Sequence, residues 1–420
     1  MLKKTKFWVH CVVATAFIFG FMWVSLEFLA IFNFLDPIGD ALTGYEITDQ
    51  VFSNPQWREA PPVDTSVVIV NIGLLSRAEI AKQINIIRSF EPKVIGIDAI
   101  FRTLKPDTLG DLMLADALAH TPNVVMYAKL KDPDSTGLWH NVSYSHPIFT
   151  QDHVTASVNL INEEANALQY NFKTCRSFFP REYLKNNETG KVDTVLAFGV
   201  ELVKEYDPQA AREFLARKKT EEIINYRGNV VDFGRTRLGT RYFALDAQQV
   251  LDTAFTEDLL KDKIVLMGFL GENFDDTRTF EDKYFTPLNT KYTGRANPDM
   301  FGVVVHANII SMLLNRDYVN EMKTWESVGL AVVICFLNVI VFSMIYYKLD
   351  SWYDGLTKLL QLAQALLLIF VIILFFYWFN FKLDLSLTIV AVLFAGDSLE
   401  VYYGVIANLY EKIVRKLITK

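Results

Sequence analysis

Apolar positions gather in four long runs and, between the first two of these, in many short ones. Residues 7–32 form the first long run, with His10 and Glu27 as its ionisable side chains. At about 1.5 Å per residue such a run exceeds the roughly 30 Å hydrocarbon core of a bilayer. Three more follow near 326–347, 358–380 and 385–408, so the pattern predicts four spanning helices. Between the first and second runs the period shortens. "SVVIVNIG" (66–73) and "KVIGIDAIF" (93–101) read as buried strands. The helix between them carries Ile80, Ile84 and Ile87 on one face, and Ser76 with Glu79 makes a capping box.

The alternation continues with a helix over 110–120 and a strand over 123–130. A strand at 153–161, a basic–aromatic patch at 173–183 and a long helix near 192–217 come next. Strand 221–228, helix 245–254 and strand 262–271 lead to a loop of about 30 residues. In "PDMFGVVVHANIISMLLN" (298–315) the valines read as strand, turning into a helix near Ala307. The fold class is α/β: a mostly parallel-sheet, three-layer extracytoplasmic domain plus four transmembrane helices, one N-terminal and three C-terminal.

Charge sets the topology. Lys3, Lys4 and Lys6 precede the first span and the tail "EKIVRKLITK" is basic, so the positive-inside rule places both termini in the cytoplasm. The first run is too long for a signal peptide and no small-residue cleavage site follows it, so it reads as an anchor. The expected division is an anchor at 1–35, an exported domain at 36–323, three spans at 324–410 and a cytoplasmic tail at 411–420. Cys11 and Cys335 fall in spans and Cys175 is alone in the exported domain, which needs a conventional core in place of an internal disulfide. A net charge of −7 gives no footprint for nucleic acid.

The order of these segments carries a resemblance. "VVIVNI", "KVIGIDAIF" and "DKIVLMGFLGENFDD…TPLN…GVVVHANIISMLL", between an anchor and three closing spans, resemble the second family of CHASE sensors, the cyclase/histidine-kinase-associated sensory extracellular domains. Its motif positions fall here on Gly268, Asp276, Thr286-Pro287 and His306-Ala307-Asn308, with Asp98 ending the second strand and Arg176 in the middle segment. The sequence departs at Asn71 and Gly73, where the family has acidic residues, and at Phe301–Val304, where it has "PGVE". Relatives commonly continue into a catalytic effector, whereas this sequence ends soon after its last span. The resemblance implies a bacterial inner-membrane sensory or assembly module, working through a separate membrane or envelope protein. A structural subunit of an envelope or transport complex is the alternative, and a proton or ion pathway a third. A small-molecule ligand and a homo-oligomer are compatible with all of these.

Two readings of the opening chemistry compete. Asp98, Arg176, Asp276, Thr286, His306 and Asn308 either line a ligand pocket at the carboxyl ends of the strands, or His306 and Asn308 fasten the 270–300 loop. The length of that loop favours fastening. Asp275-Asp276 with Glu272, Glu281 and Asp282 lack calcium-loop spacing and read as a solvated acidic loop, so no metal is expected. No G-x-S-x-G occurs, the exported histidines lack metal-ligand spacing, and Gly268–Gly271 lack a dinucleotide fingerprint, which argues against an enzyme or a bound cofactor. In the spans, Asn338, Gln364 and Glu400 share one depth and Asp397 lies a turn from Glu400, so the four are expected to form a polar seam between helices.

Overall fold

The computed structural model describes residues 2–30, 46–54, 61–151, 153–157, 160, 174–187, 189–230, 240–274, 279, 281–289, 297–407 and 409. They divide into two compact units, Asp49–Val319 and the combination of Met1–Thr48 with Asn320–Lys420.

In the first unit nine strands among the described residues form one sheet. They are β1 (Asp64–Asn71), β2 (Val94–Ile97), β3 (Val124–Pro133), β4 (Trp139–Ser143), β5 (Val154–Ser157), β6 (Arg181–Lys185), β7 (Val192–Leu196), β8 (Tyr242–Leu245) and β9 (Ile264–Gly268). Their order is β8-β1-β9-β2-β3-β4-β6-β7, with β5 also paired to β3. From β8 to β3 every pairing is parallel, as is β3 with β5. Beyond β3 the pairings β3–β4 and β6–β7 are antiparallel.

The side-chain period of two explains the layers. Val68, Val70, Ile95, Ile97, Val265 and Met267 pack with Ile80 and Ile84 of α2 (Arg77–Ser89), Leu114 and Leu118 of α3 (Thr108–Ala119) and Val250 of α6 (Ala247–Leu251). The capping box of Ser76 and Glu79 forms at the start of α2. On the opposite face lie α4 (Phe198–Tyr206) and α7 (Gly302–Asn315). There Gly96 makes room between Ile95 and Ile97: a Cβ on it would lie 2.7 Å from Leu202 and 2.9 Å from Phe198. The helices thus form two layers around a mostly parallel sheet.

Three local expectations are corrected. The long helix near 192–217 is strand β7, then α4, then α5 (Pro208–Leu215), because Val192–Leu196 pair with β6 and Asp207-Pro208 ends one helix and caps the next. Of the strand expected at 221–228, only Glu222–Ile223 pair, with Ser177–Phe178. Val303, Val304 and Val305 are helical, since α7 begins at Gly302 and not near Ala307. Each valine is buried, so packing overrides the β preference of the run.

The second unit contains α1 (Leu2–Ala30), α8 (Thr324–Lys348), α9 (Tyr353–Phe379) and α10 (Ser386–Val401). Among the described residues four helices there, Lys6–Val24, Thr324–Lys348, Tyr353–Phe379 and Ser386–Ala407, are long and apolar enough to cross a membrane. Small residues let them approach: Ala14, Cys335, Ala391 and Ala395 share a core with Ile18, Val339, Phe342 and Leu399.

Candidate functional site

The carboxyl ends of β8, β1, β9 and β2 make one edge, and polar side chains collect there. Asn71 ends β1 and is sealed from solvent. Its Nδ2 donates to Asp246 Oδ1 (2.9 Å) and to the Gly271 carbonyl (3.1 Å), while its Oδ1 accepts from the backbone N–H groups of Gly73 (2.9 Å) and Leu270 (2.9 Å). Asn71 therefore binds the turn after β9 to the ends of β1 and β8. Asp98 follows β2, and its backbone N–H donates to the Met267 carbonyl at 2.8 Å. Gly268 closes β9 against α7, because a Cβ on it would sit 2.7 Å from the Val303 Cβ and 3.3 Å from the Asp98 Cβ.

Asp282 reaches the same neighbourhood from the hairpin formed by Lys283–Tyr284 and Met300–Phe301. A Cβ on Gly302 would lie 3.2 Å from Asp282 Oδ1 and 3.2 Å from the Tyr284 ring, so this carboxylate sits at the first turn of α7. No side chain of Phe301 caps that turn; the Gly302 N–H donates instead to the Asp282 backbone carbonyl at 2.9 Å. Loss of hydration and the charge of Asp282 hold the Asp98 carboxyl well above the ordinary carboxylate range. Asp282 is raised by loss of hydration and by Glu281, with Lys129 opposing. The sequence alone gives Asp282 as one more solvated acid; only the hairpin brings it to α7.

A second polar cluster ties α7 to the segment after Ile223. Asn308 is fully buried, and its Oδ1 accepts from the N–H of Arg227 (2.7 Å) and Gly228 (3.3 Å) and from the Tyr242 hydroxyl (3.1 Å). Its Nδ2 donates to the carbonyls of Gly228 (3.0 Å) and Val304 (2.8 Å). Asn308 is a fastener: among the described residues its backbone partners outside α7 are in 227–228, and its one bond to the 270–300 stretch runs from Nδ2 to the Met300 sulfur at 3.5 Å. One residue on, Asn229 Nδ2 donates to the Asp299 carbonyl at 2.8 Å. The Asp299 carboxylate accepts from the Thr286 N–H (2.9 Å), the Thr286 hydroxyl and Asn289 Nδ2 (3.2 Å). Burial drives its pKa up to about 7, against the pull of the Thr286 bonds. Thr286 and Asn308 thus belong to one network. Asp299, absent from the sequence-based candidates, is its acidic centre; an aspartate immediately before the buried pair Met300-Phe301 was the signal.

Other candidates are placed elsewhere. Arg176 makes a forked pair with buried Asp49, Nε to Oδ1 at 3.1 Å and Nη2 to Oδ2 at 2.6 Å. The preceding residue ties this segment to the end of the hairpin, the Cys175 N–H donating to the Phe285 carbonyl at 2.8 Å. His306 is buried with its ring edge-on to Phe198, centroids 5.2 Å apart, and its Nδ1 has no hydrogen-bond partner among the described residues. Burial drives its pKa down to about 3, which keeps the ring neutral at ordinary pH. Asp276 lies outside the described residues, as do Asp275 and the tail 411–420. Among the described residues no group of three or more His, Cys, Asp or Glu is arranged to hold a metal ion.

The expected membrane seam is also corrected. Asp397 pairs with Lys358, and both Asp397 and Glu400 face outward from the bundle. Asn338 Nδ2 donates within its own helix to the Ile334 carbonyl (3.1 Å), and Gln364 Oε1 has no partner among the described residues. Spacing in the sequence addressed depth along the helices and left out azimuth around them. Gln361 carries the tie, donating to the carbonyls of Val392 (3.0 Å) and Leu393 (2.8 Å) of α10, while the Tyr353 hydroxyl donates to the Gly396 carbonyl (2.8 Å). Replacing Gln361 by Leu is expected to cost about 0.6–2 kcal/mol of bundle stability, whereas Glu400→Leu should leave it unchanged. Thermal denaturation in detergent reads both, and an unaffected Gln361→Leu protein would remove the tie.

The sequence model of the CHASE2 domain matches residues 26–343. No curated protein and no solved structure matches the chain.

Proposed function

The chain belongs to the CHASE2 family, whose domain is a sensory extracellular module, and on that premise we propose that it is a membrane-anchored extracytoplasmic sensor whose output leaves through a separate membrane protein. One observation carries this reading. Helix α7 is bonded at Asn308 to the 227–228 segment and to β8, is bonded to Asp282 at its first turn, and continues through residues 316–323 into α8. Whatever rearranges the carboxyl edge of the sheet acts on the helix that leads into a span. Buried polar anchors of this kind have discrete bonded arrangements, which suits a two-state element.

Lysine placement supports an inner-membrane topology with both termini in the cytoplasm and 36–323 outside. The test joins topology to output. In intact cells an impermeant thiol reagent should label Asn187→Cys, and cross-linking from α8 and α10 should capture one stoichiometric membrane partner. Protection of position 187, or recovery of the chain free of any cross-linked partner, would refute the reading.

A further inference from the structure

The parallel sheet does not end cleanly. Strand β3 pairs with β5 through Met126, Tyr127 and Ala128, then leaves it and pairs with β4 from Lys129 onward. The sheet forks at this point. One branch runs through β4, β6 and β7, and the two branches meet again where Ser157 bridges Ala197 just before α4. Between them lies a hollow of about 370 Å³. Its size is at the lower end of the range for small-molecule sites.

The walls include the apolar side chains of Ala128, Leu130, Val142 and Leu196. The polar groups on the lining are the Lys204 ammonium, the Glu201 carboxylate and three hydroxyls, each of which can donate or accept. Lys204, on α4, spends one of its three N–H groups on Glu201 at 2.6 Å, which neutralises that buried carboxylate. The Tyr144, Thr155 and Thr194 hydroxyls line the same hollow, and none hydrogen-bonds to a described residue. The remaining ammonium protons call for an acceptor that bears negative charge, and the three hydroxyls can turn their O–H groups toward it. The apolar walls call for a compact hydrocarbon body.

We propose that the fork between β4, β5 and α4 is the ligand site of the domain, and that it takes a small monocarboxylate with an apolar body. The assignment rests on the sensory reading for its role, but it is tested by binding to the isolated chain. Its failure would leave the partner cross-linking test of that reading untouched.

The probes are benzoate, with benzylamine, benzyl alcohol and acetate as controls, on the full chain in lipid nanodiscs. Millimolar benzoate should raise the thermal midpoint and titrate one site per chain by calorimetry, while the three controls should not. The Glu201→Gln/Lys204→Met double variant removes the ammonium without leaving a bare buried charge, and it should melt normally and lose the benzoate response. Should that variant fail to fold, Tyr144→Phe at the exposed rim should weaken benzoate about tenfold. A wild-type chain indifferent to benzoate, an equal response to benzylamine or acetate, or an undiminished response in a folded variant would overturn the proposal.

Discussion

Asn308→Ala is expected to destabilise the extracytoplasmic unit by about 3 kcal/mol or more, because several buried groups lose their partner at once. The carboxamide accepts from two backbone N–H groups and a tyrosine hydroxyl and donates to two carbonyls, all without access to water. Alanine leaves the Arg227 and Gly228 N–H groups bare inside the protein. Hydrogen exchange should locate the damage. The amides of Arg227 and Gly228 should lose protection first, and those of the hairpin around Thr286 should follow, since Asn229 connects the two through Asp299. The strands β1, β2 and β9 should stay protected until global unfolding. If Asn308→Ala kept wild-type stability and protection at 227–228, the fastening role would be wrong.

The sequence showed the layers of this fold more readily than its edges. Runs such as Val67–Val70 and Ile264–Met267 are buried on both sides of a parallel sheet, and their composition announces it. The capping box at Ser76 and Glu79 was equally plain, since two residues spaced three apart decide it. The valines before His306 misled because β-branched preference is weaker than the gain from burying a helix on every side. At the site, Asp98 and Asn308 stood out from their positions, whereas Asp282 and Asp299 did not. Their chemistry comes from a two-residue hairpin, Lys283–Tyr284 with Met300–Phe301, and from loss of hydration, neither of which has a periodic signature. The fork of β3 was invisible for a related reason. A strand that changes partner halfway has the same alternation as one that does not.

Asp299→Asn is expected to stabilise the protein, and increasingly so as pH rises. In the folded chain burial holds the Asp299 carboxyl at a pKa of about 7, against about 3.9 in an unfolded chain. Below the lower value both states are protonated, so the group favours neither. Between the two, the unfolded chain releases its proton while the folded chain keeps it. The unfolded state then binds fewer protons, so stability falls with rising pH and levels off above the folded value. Three pKa units correspond to about 4 kcal/mol. Asparagine cannot ionise and preserves most of the geometry. Its carbonyl can accept from the Thr286 N–H and Asn289 Nδ2, and its amide can donate to the Thr286 hydroxyl after that hydroxyl rotates. Urea unfolding of the reconstituted chain should give similar stabilities for the two proteins near pH 4 and a gain of about 2–4 kcal/mol for the variant near pH 8. Asp98 and Asp282 are raised in the same direction, so a smaller slope should persist in the variant. Parallel pH profiles for the two proteins would mean that Asp299 is ionised in the fold. A steeper profile in the wild type would place the pH dependence at the hairpin that abuts α7.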